Sequence, residues 1–367
     1  MKLDDYQRKA FGTARIDWKD ARKRHIPILG VIGELGSLTT EIKKSLRDGE
    51  AYTDGAQNLT EQFGDLLWYI GALASRYEFK MQALARQGTL PKVPRSSLQH
   101  IYAIVSSVAA LVTIAAPLGP QVSGPKRRAL AGALARVLGA TLAAIRYEHL
   151  DLSKVLRVNL SKVTGMFGDD VDKPAICFDQ RFPGYERLPR SVAIQFLERE
   201  RGPGRLEVVI RVSSLNIGDR LTDNAKEDDG YRFHDAFHLA YAAVLGWSPV
   251  VRATFRCKRK SDPHVDEVQD GARAAIVEEA VAQTVFNYAR GHSMLEGLDR
   301  IDHGILNLIQ RMVRGLEVSR CALHEWQRAI FVGFEAFRAL KRNRGGWLIL
   351  DAETRSLTYS KEGPVIG

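Results

Sequence analysis

The distribution of helix and strand signals divides this chain into two parts. Up to about residue 165, apolar residues recur every three or four positions, which is typical of amphipathic helices. Strand signals begin only after a stretch rich in proline and glycine, where SVAIQFLERE and RLEVVIRVSS flank an RGPG turn. WLILDAETRSLTYS predicts a second hairpin near the C-terminus. We therefore expect a mainly α protein, in which an N-terminal helical bundle precedes an α+β domain of helices and small antiparallel hairpins.

The length of 367 residues is sufficient for two domains that each bury a core. Proline and glycine between residues 168 and 190 indicate where the boundary falls. We expect a first domain over residues 1–170, a linker over residues 171–190 and a second domain over residues 191–367.

The charge balance favours anionic partners. The chain has 53 Lys and Arg residues against 43 Asp and Glu residues, which gives a net charge of +10. Its three cysteines, Cys177, Cys257 and Cys321, are far apart and form no CxxC pair, which argues against a disulfide framework or a cysteine zinc site. The polar N-terminus does not resemble a secretory signal, so we expect a cytoplasmic protein.

A stretch without charged residues between Ile101 and Pro125 is long enough to suggest a membrane span. Its apolar residues nevertheless recur at helical spacing, and serine and threonine lie off that stripe. We expect a buried bundle helix, and no membrane, with this core stripe: Ile101, Ile104, Val105, Val108, Leu111, Val112 and Ala115.

Carboxylates lie beside the apolar stripes of the second and third predicted helices. The predicted core stripe of the second helix is Ile32, Leu35, Thr39, Ile42 and Leu46. Glu34, Ser37 and Glu41 form the neighbouring row, and Glu61 and Asp65 flank the core stripe of the third helix. Packing through the two stripes would bring Glu34 near Asp65. Such carboxylates suit Mg²⁺, but the solvated edge of an amphipathic helix has the same spacing, so both interpretations stay open.

The residue pattern of the first half resembles the MazG-like all-α nucleoside triphosphate pyrophosphatase family. The strings that carry the resemblance are GVIGELGSLTTEIKKSLRDG, LTEQFGDLLWYIGALA, DDYQRKAFGTA and LDLSKVLRVNLSKVTGMFGD. The last string contains an Asn-x-x-Lys pair, Asn159 and Lys162. The resemblance covers roughly residues 1–170 and implies a large helical insert at about residues 90–148.

The resemblance implies that acids in an ExxE and an ExxD arrangement hold Mg²⁺, with Mn²⁺ as an alternative. Glu34 matches the first acid and Asp65 the last, whereas Ser37 and Gln62 replace the other two. Glu61, which precedes Gln62, is expected to complete a catalytic and metal-binding set with Glu34 and Asp65. The expected substrate contacts are Ser37, Glu41, Gln62, Trp68, Asn159 and Lys162. The family also implies a homodimer or larger homo-oligomer.

A second cluster lies in the string EDDGYRFHDAFHLAYAAVLGW, which resembles the domain found C-terminal to MazG-like domains. His234 and His238 are four residues apart on one helix, with Asp235 between them, and a later helix supplies Glu278 and Glu279. These residues suit a metal site, but buried hydrogen bonds between histidines and carboxylates would use the same pattern. Nearby, the basic run FRCKRK lacks interleaved aromatic residues, so we do not expect nucleic-acid binding.

The sequence therefore predicts an Mg²⁺-dependent pyrophosphohydrolase that cleaves (d)NTP to (d)NMP and pyrophosphate, in nucleotide-pool cleaning or phage defence. One alternative is a catalytically degenerate nucleotide-binding sensor or scaffold. Another is a metal hydrolase that uses the His/Asp/Glu cluster of the second domain.

Overall fold

The computed structural model describes residues 1–14, 16–88, 96–119, 121–167 and 177–363. In the helix that ends at residue 167, side chains are described up to residue 165. The chain divides into two compact units, and the division falls after Phe167. The first unit is helical, and the second combines helices with an antiparallel sheet. The predicted fold class, mainly α with an α+β C-terminal part, is confirmed.

The first unit is a bundle of helices. They are α1 (Leu3–Phe11), α2 (Ile26–Asp48), α3 (Gly55–Arg76), α4 (Met81–Gln87), α5 (Ser97–Ala115), α6 (Gly124–Tyr147) and α7 (Leu152–Phe167). The α3 helix is central, because it packs against α1, α2, α6 and α7.

Two glycines let other helices approach α3 closely. A Cβ atom on Gly30 of α2 would lie 2.2 Å from the ring of Tyr69 on α3, and a Cβ atom on Gly64 of α3 would lie 2.7 Å from Cβ of Asn159 on α7. A larger residue at Gly30 would displace the Tyr69 ring, and one at Gly64 would push α7 away from α3. The close packing places polar side chains of α2 and α7 beside α3.

The predicted core stripe of α2 is confirmed for Leu35 and Ile42, which are buried, and wrong for Ile32 and Leu46. Ile32 and Leu46 are 44% and 63% exposed, while Val31 and Leu38 are fully buried. The cause is that α2 packs against α5 as well as α3, so the buried face turns toward Val31. This rotation leaves Glu34 half-buried at the edge of the core.

The α5 and α6 helices are both long and apolar enough, by length and composition, to cross a membrane. In the structure, 61% of the apolar window of α6 but only 33% of that of α5 is buried. Val105, which we expected in the buried stripe of α5, is exposed together with Tyr102. The α5 helix therefore keeps an apolar side that the first unit does not cover.

The second unit joins the two predicted hairpins into one five-stranded antiparallel sheet of order β3-β2-β1-β4-β5. The strands are β1 (Ser191–Glu200), β2 (Leu206–Val212), β3 (Leu215–Leu221), β4 (Gly345–Asp351) and β5 (Ser356–Ser360). The hairpins meet where β1 pairs with β4. The edge strand β3 was not predicted, because its sequence, LNIGDRL, is mostly polar and exposed.

The helices of the second unit are α8 (Asp235–Leu245), α9 (Pro249–Thr254), α10 (Pro263–Val268), α11 (Ala272–Arg290), α12 (His303–Met312) and α13 (Leu323–Asn343). The α8 helix lies in the core and packs against α13 through stacked aromatic rings, such as Phe237 on Phe334. Its polar side chains therefore need partners inside the protein.

The predicted linker over residues 171–190 is wrong from residue 177 onward, and residues 171–176 lie outside the described residues. Asp179 is buried and accepts hydrogen bonds from the Leu188 amide and from Arg252 Nη2, at 2.8 and 2.9 Å. Glu186 is also buried and accepts from the Ser261 amide at 3.0 Å. The prolines of this segment shape a packed loop of the second unit.

Two arginines of the basic segment near residue 255 are buried rather than solvated. Arg259 Nη2 lies 2.6 Å from both Asp270 Oδ1 and Glu317 Oε1, and Arg252 pairs with Asp179. A buried guanidinium requires this degree of carboxylate pairing, so these arginines serve the fold and are not available to phosphates.

Candidate functional site

Asp65 lies at the centre of a polar cluster in the first unit. Lys162 Nζ is 2.5 Å from its Oδ2, and Asn159 Nδ2 donates to its Oδ1 at 2.8 Å. The Asp65 and Lys162 side chains are only 13% and 15% exposed. Burial raises the pKa of Asp65, and the Lys162 charge opposes that rise. The Asn-x-x-Lys pair of α7 thus meets the acid of α3.

Tyr6 of α1 fixes the orientation of Asn159. Its hydroxyl donates to Asn159 Oδ1 at 2.5 Å, which directs the amide nitrogen of Asn159 toward Asp65. No role in the site was predicted for Tyr6. The available signal is its place on the buried face of α1, where a phenol hydroxyl needs a hydrogen-bond partner.

Glu34 of α2 lies close enough to Asp65 for their charges to interact. Burial and the Asp65 charge raise the pKa of Glu34 from 4.5 to about 7, although Lys162 acts in the opposite direction. The two carboxylates repel each other, and because they are withdrawn from water, a bound cation would stabilise their charged forms.

The neighbouring α3 positions supply further oxygen atoms. The charge of Glu61 raises the pKa of Asp65, so this carboxylate is also nearby. Gln62 Oε1 is buried and has no hydrogen-bond partner within the described part of the chain. An unpaired buried carbonyl oxygen is costly unless a cation or water meets it.

Three of the predicted substrate contacts, Glu41, Ser37 and Trp68, have no contact with Asp65 among the hydrogen bonds of the described residues. Glu41 is buried two turns beyond Glu34 and accepts hydrogen bonds from Lys44, Tyr52 and Asn58, so it fastens the end of α2. Ser37 is exposed. Trp68 is partly buried, and its indole nitrogen donates to Thr13 at 3.4 Å. Both Glu41 and Trp68 thus have partners within the bundle.

The residues around Asp65 have the ligand chemistry of a divalent-cation site, although among the described residues only His234, Asp235 and His238 bring their ligand atoms within 4.8 Å of one another. Glu34, Glu61 and Asp65 provide carboxylates and Gln62 an amide oxygen, and hard oxygen ligands of this kind suit Mg²⁺ and Mn²⁺. Lys162 supplies positive charge at the same place. These residues have the composition of a site for a metal ion together with phosphate groups.

The predicted histidine cluster is assembled at the start of α8. His238 is 1% exposed, and its Nδ1 lies 2.8 Å from Glu278 Oε1. Glu278 also accepts from Ser248 Oγ at 2.6 Å and from the Val250 amide at 2.9 Å. These three contacts occupy Glu278, which therefore holds α8, α9 and α11 together.

The remaining members of the cluster lie on the other side of the His238 ring. His238 Nε2 is 3.4 Å from Glu279 Oε2, and His234 Nε2 is 3.4 Å from Asp235 Oδ1. Burial lowers the pKa of His238, but the charges of Glu278 and Glu279 outweigh it and raise that pKa well above 6.5. The carboxylates around His238 thus favour positive charge at this place.

One comparison with known proteins concerns this second unit. The family described as the MazG C-terminal domain matches residues 173–363, more than half of the chain. The chain belongs to the family of proteins with a MazG C-terminal domain. This domain carries the sheet, the buried arginines and the histidine cluster.

A phage protein is also similar to this member of the MazG C-terminal family. The Gene 37 protein of Mycobacterium phage L5 is 28% identical over 93 residues, which cover 24% of this chain and 82% of the phage protein. No solved structure matches the chain. The Asp65 cluster lies outside the residues that the family matches, so any function for it has to be argued from the geometry of the cluster itself.

The raised pKa of Glu34 predicts a pH-dependent effect on stability. The folded protein keeps the Glu34 proton up to about pH 7, whereas the unfolded chain releases it near 4.5, so this group's stabilising contribution is lost as the pH rises across that window. Glu34→Gln should therefore increase the free energy of unfolding by about 1–3 kcal/mol above pH 7 and leave it unchanged below pH 4.5.

This effect is measured by urea denaturation of the metal-free protein across the pH range. Glu50→Gln is the control, because Glu50 is an exposed carboxylate that directly follows α2. An equal increase in the free energy of unfolding in both variants, or no increase for Glu34→Gln, would contradict the placement of Glu34 beside Asp65.

Proposed function

We propose that the first unit is a divalent-metal-dependent nucleotide pyrophosphohydrolase that cleaves (d)NTP to (d)NMP and pyrophosphate. The observation that carries the proposal is the cluster around Asp65, where oxygen ligands of α2 and α3 meet the Asn159–Lys162 pair of α7. The MazG-related second domain supports a connection with nucleotide hydrolysis. The net charge of +10 favours an anionic substrate.

In this proposal, Glu34, Glu61 and Asp65 hold Mg²⁺, or Mn²⁺ in its place, and Gln62 contributes its unpaired oxygen. When bound, the ion polarises the phosphate chain and lowers the pKa of water. Burial and the Asp65 charge raise the pKa of Glu34 to about 7 in the metal-free protein, so binding of the ion at this carboxylate releases its proton. Asn159 stays in place through Tyr6, and Lys162 exchanges its contact with Asp65 for a phosphate oxygen.

The biological setting follows from the same proposal. A cytoplasmic enzyme of this type removes unwanted nucleotides or depletes the nucleotide pool during phage infection. The two departures, Ser37 and Gln62, favour one competing function: a nucleotide sensor that binds through the same cluster without hydrolysis. The enzyme and the sensor differ in whether products form.

Product analysis tests the proposed reaction. The purified chain, incubated with NTPs and dNTPs in Mg²⁺ or Mn²⁺, should release nucleoside monophosphate and intact pyrophosphate. Asp65→Asn should lower kcat/KM by about 1000-fold, because it removes a ligand charge and the partner of Lys162. Asp48→Asn, which changes an exposed aspartate at the end of α2, should keep full activity.

Other outcomes separate the alternatives. Release of inorganic phosphate, or full turnover in Asp65→Asn, would contradict the proposal. Metal-dependent nucleotide binding that Asp65→Asn weakens, without any product, would favour the sensor. Turnover that survives in Asp65→Asn but is lost in His234→Gln would assign catalysis to the second domain.

Gln62 provides a gain-of-function test of the metal site. Gln62→Glu adds a carboxylate where the family pattern has one, so we expect Mg²⁺ affinity to increase by about tenfold because affinity follows ligand charge. Calorimetric titration of the nucleotide-free protein measures this change. Gln87→Glu, which changes an exposed glutamine at the end of α4, is the control, and an equal gain there would indicate a general charge effect.

We further propose that a second copy of the chain covers the exposed apolar side of the bundle. The α2 and α5 helices pack together, and each leaves apolar residues on one face uncovered. These residues are Ile26, Leu29 and Ile32 of α2, and Leu98, Tyr102 and Val105 of α5. An exposed row of this kind on a helical bundle is typical of subunit interfaces.

The double change Leu29→Glu and Tyr102→Glu should convert a homo-oligomer to a monomer, because it introduces charge into the interface. Light scattering coupled to size exclusion measures the mass. Leu215→Glu, an exposed leucine of β3 in the second unit, should leave the mass unchanged. A monomeric native chain would contradict the proposal, and lipid-vesicle binding by that monomer would point to a membrane surface instead.

A further inference from the structure

The two histidines at the start of α8 are held in the same way. His234 Nδ1 lies 2.9 Å from the Tyr231 carbonyl oxygen, and His238 Nδ1 lies 2.8 Å from Glu278 Oε1. Since both oxygens accept hydrogen bonds, each Nδ1 carries a proton. The Nε2 atoms are then the positions that can bind a ligand. Metal-binding histidines are typically oriented by such a contact from their second nitrogen to a carboxylate or a carbonyl.

The ring of His234 has additional support. It stacks on Tyr231 with centroids 4.3 Å apart, and Tyr231 contacts the edge of Phe286. The rings of His234 and His238 are 5.6 Å apart and nearly perpendicular. The two imidazoles are therefore fixed before any ligand arrives, which lowers the entropic cost of binding.

Potential ligand atoms converge beside these rings. Atoms of His234, Asp235 and His238 lie within 4.8 Å of one another. The His234–Asp235 and His238–Glu279 pairs are each separated by 3.4 Å. Two ligands that bind one ion at about 2.1 Å in tetrahedral geometry are about 3.4 Å apart, so each pair has the spacing of two ligands of one ion. His234, Asp235 and His238 form the converged set, and Glu279 lies at its edge beside His238.

One of these atoms lacks a hydrogen-bond partner. His238 is 1% exposed, and its Nε2 makes no hydrogen bond, since Glu279 is at ion-pair distance but not in hydrogen-bond geometry. A buried polar atom without a hydrogen bond costs about 1–3 kcal/mol, and a metal would remove that cost. Glu279 is 47% exposed, so the cluster is open to solvent on one side and an ion can enter.

We propose that His234, Asp235, His238 and Glu279 bind a first-row transition metal ion such as Zn²⁺. Two imidazole nitrogens favour Zn²⁺, Co²⁺ or Fe²⁺ over Mg²⁺, whereas the all-oxygen cluster around Asp65 has the opposite preference. Glu278 is a positioning residue in this site, because it holds His238 and has no free oxygen. The site is independent of the function proposed for the first unit.

Cobalt titration of the full chain tests this site. The protein is first treated with a chelator, and excess Mg²⁺ is then added to occupy oxygen-only sites. We expect one Co²⁺ per chain, with the visible absorption of a nitrogen-ligated ion, and displacement of Co²⁺ by Zn²⁺. His234→Gln and Glu279→Gln should each weaken binding by about 100-fold, since losing a ligand costs at least as much as losing an outer contact.

His292→Gln is the matched control. His292 also stacks on a tyrosine, Tyr288, and its Nδ1 also lies near that residue's carbonyl oxygen, at 2.7 Å, but it is exposed and outside the cluster. This variant should bind Co²⁺ as the native chain does. Because Glu279 is half-exposed, Glu279→Gln should fold normally, and circular dichroism verifies that it does.

Three results would overturn the proposal. These are the absence of stoichiometric Co²⁺ binding, binding that survives in both His234→Gln and Glu279→Gln, and loss of binding in His292→Gln. Asp65→Asn separates the two sites. If Co²⁺ binding is lost in Asp65→Asn and kept in Glu279→Gln, the ion lies in the first unit and the proposed site is wrong.

Discussion

The first unit depends on the compensation of one buried carboxylate. Asp65 lies inside the bundle on α3, and a buried ionised group is tolerated only when charge and hydrogen bonds replace water. Lys162 and Asn159 provide both, and Tyr6 holds Asn159 in turn. The Asp65 carboxylate is therefore compensated only when α1, α3 and α7 are packed together. Packing of the bundle and assembly of the polar cluster thus depend on each other.

The second unit uses a buried carboxylate in a related way. Glu278 accepts from His238, Ser248 and the Val250 amide, which fixes two helices against α11. In both units, one carboxylate thus orients a nitrogen-bearing side chain at the edge of a functional cluster. The clusters differ in ligand chemistry, since oxygen atoms dominate around Asp65 and imidazoles around His238. This difference would let one chain hold two kinds of metal without competition between the sites.

Much of this organisation could be predicted from local patterns. Helical periodicity predicts the helices, turn residues predict both hairpins, and the relation of Glu34 to Asp65 follows from helix packing. Features that depend on distant partners could not be predicted. Val31 replaces Ile32 in the core because α2 has two neighbours, and Arg259 is buried because Asp270 and Glu317 surround it. The lack of a hydrogen-bond partner for a buried oxygen, such as Oε1 of Gln62, can be recognised only from the structure.

The contact between Gly64 and Asn159 has a consequence for how such a cluster can change over time. Because α3 has no side chain at this point, the Asn159 Cβ atom of α7 comes directly against its backbone. A larger residue at Gly64 would increase the distance between α3 and α7 and move Lys162 away from Asp65, while every side chain of the cluster stayed chemically intact. Selection can therefore change the Asp65 cluster through the spacing of two helices alone, and an intact set of acids is not by itself a signature of activity.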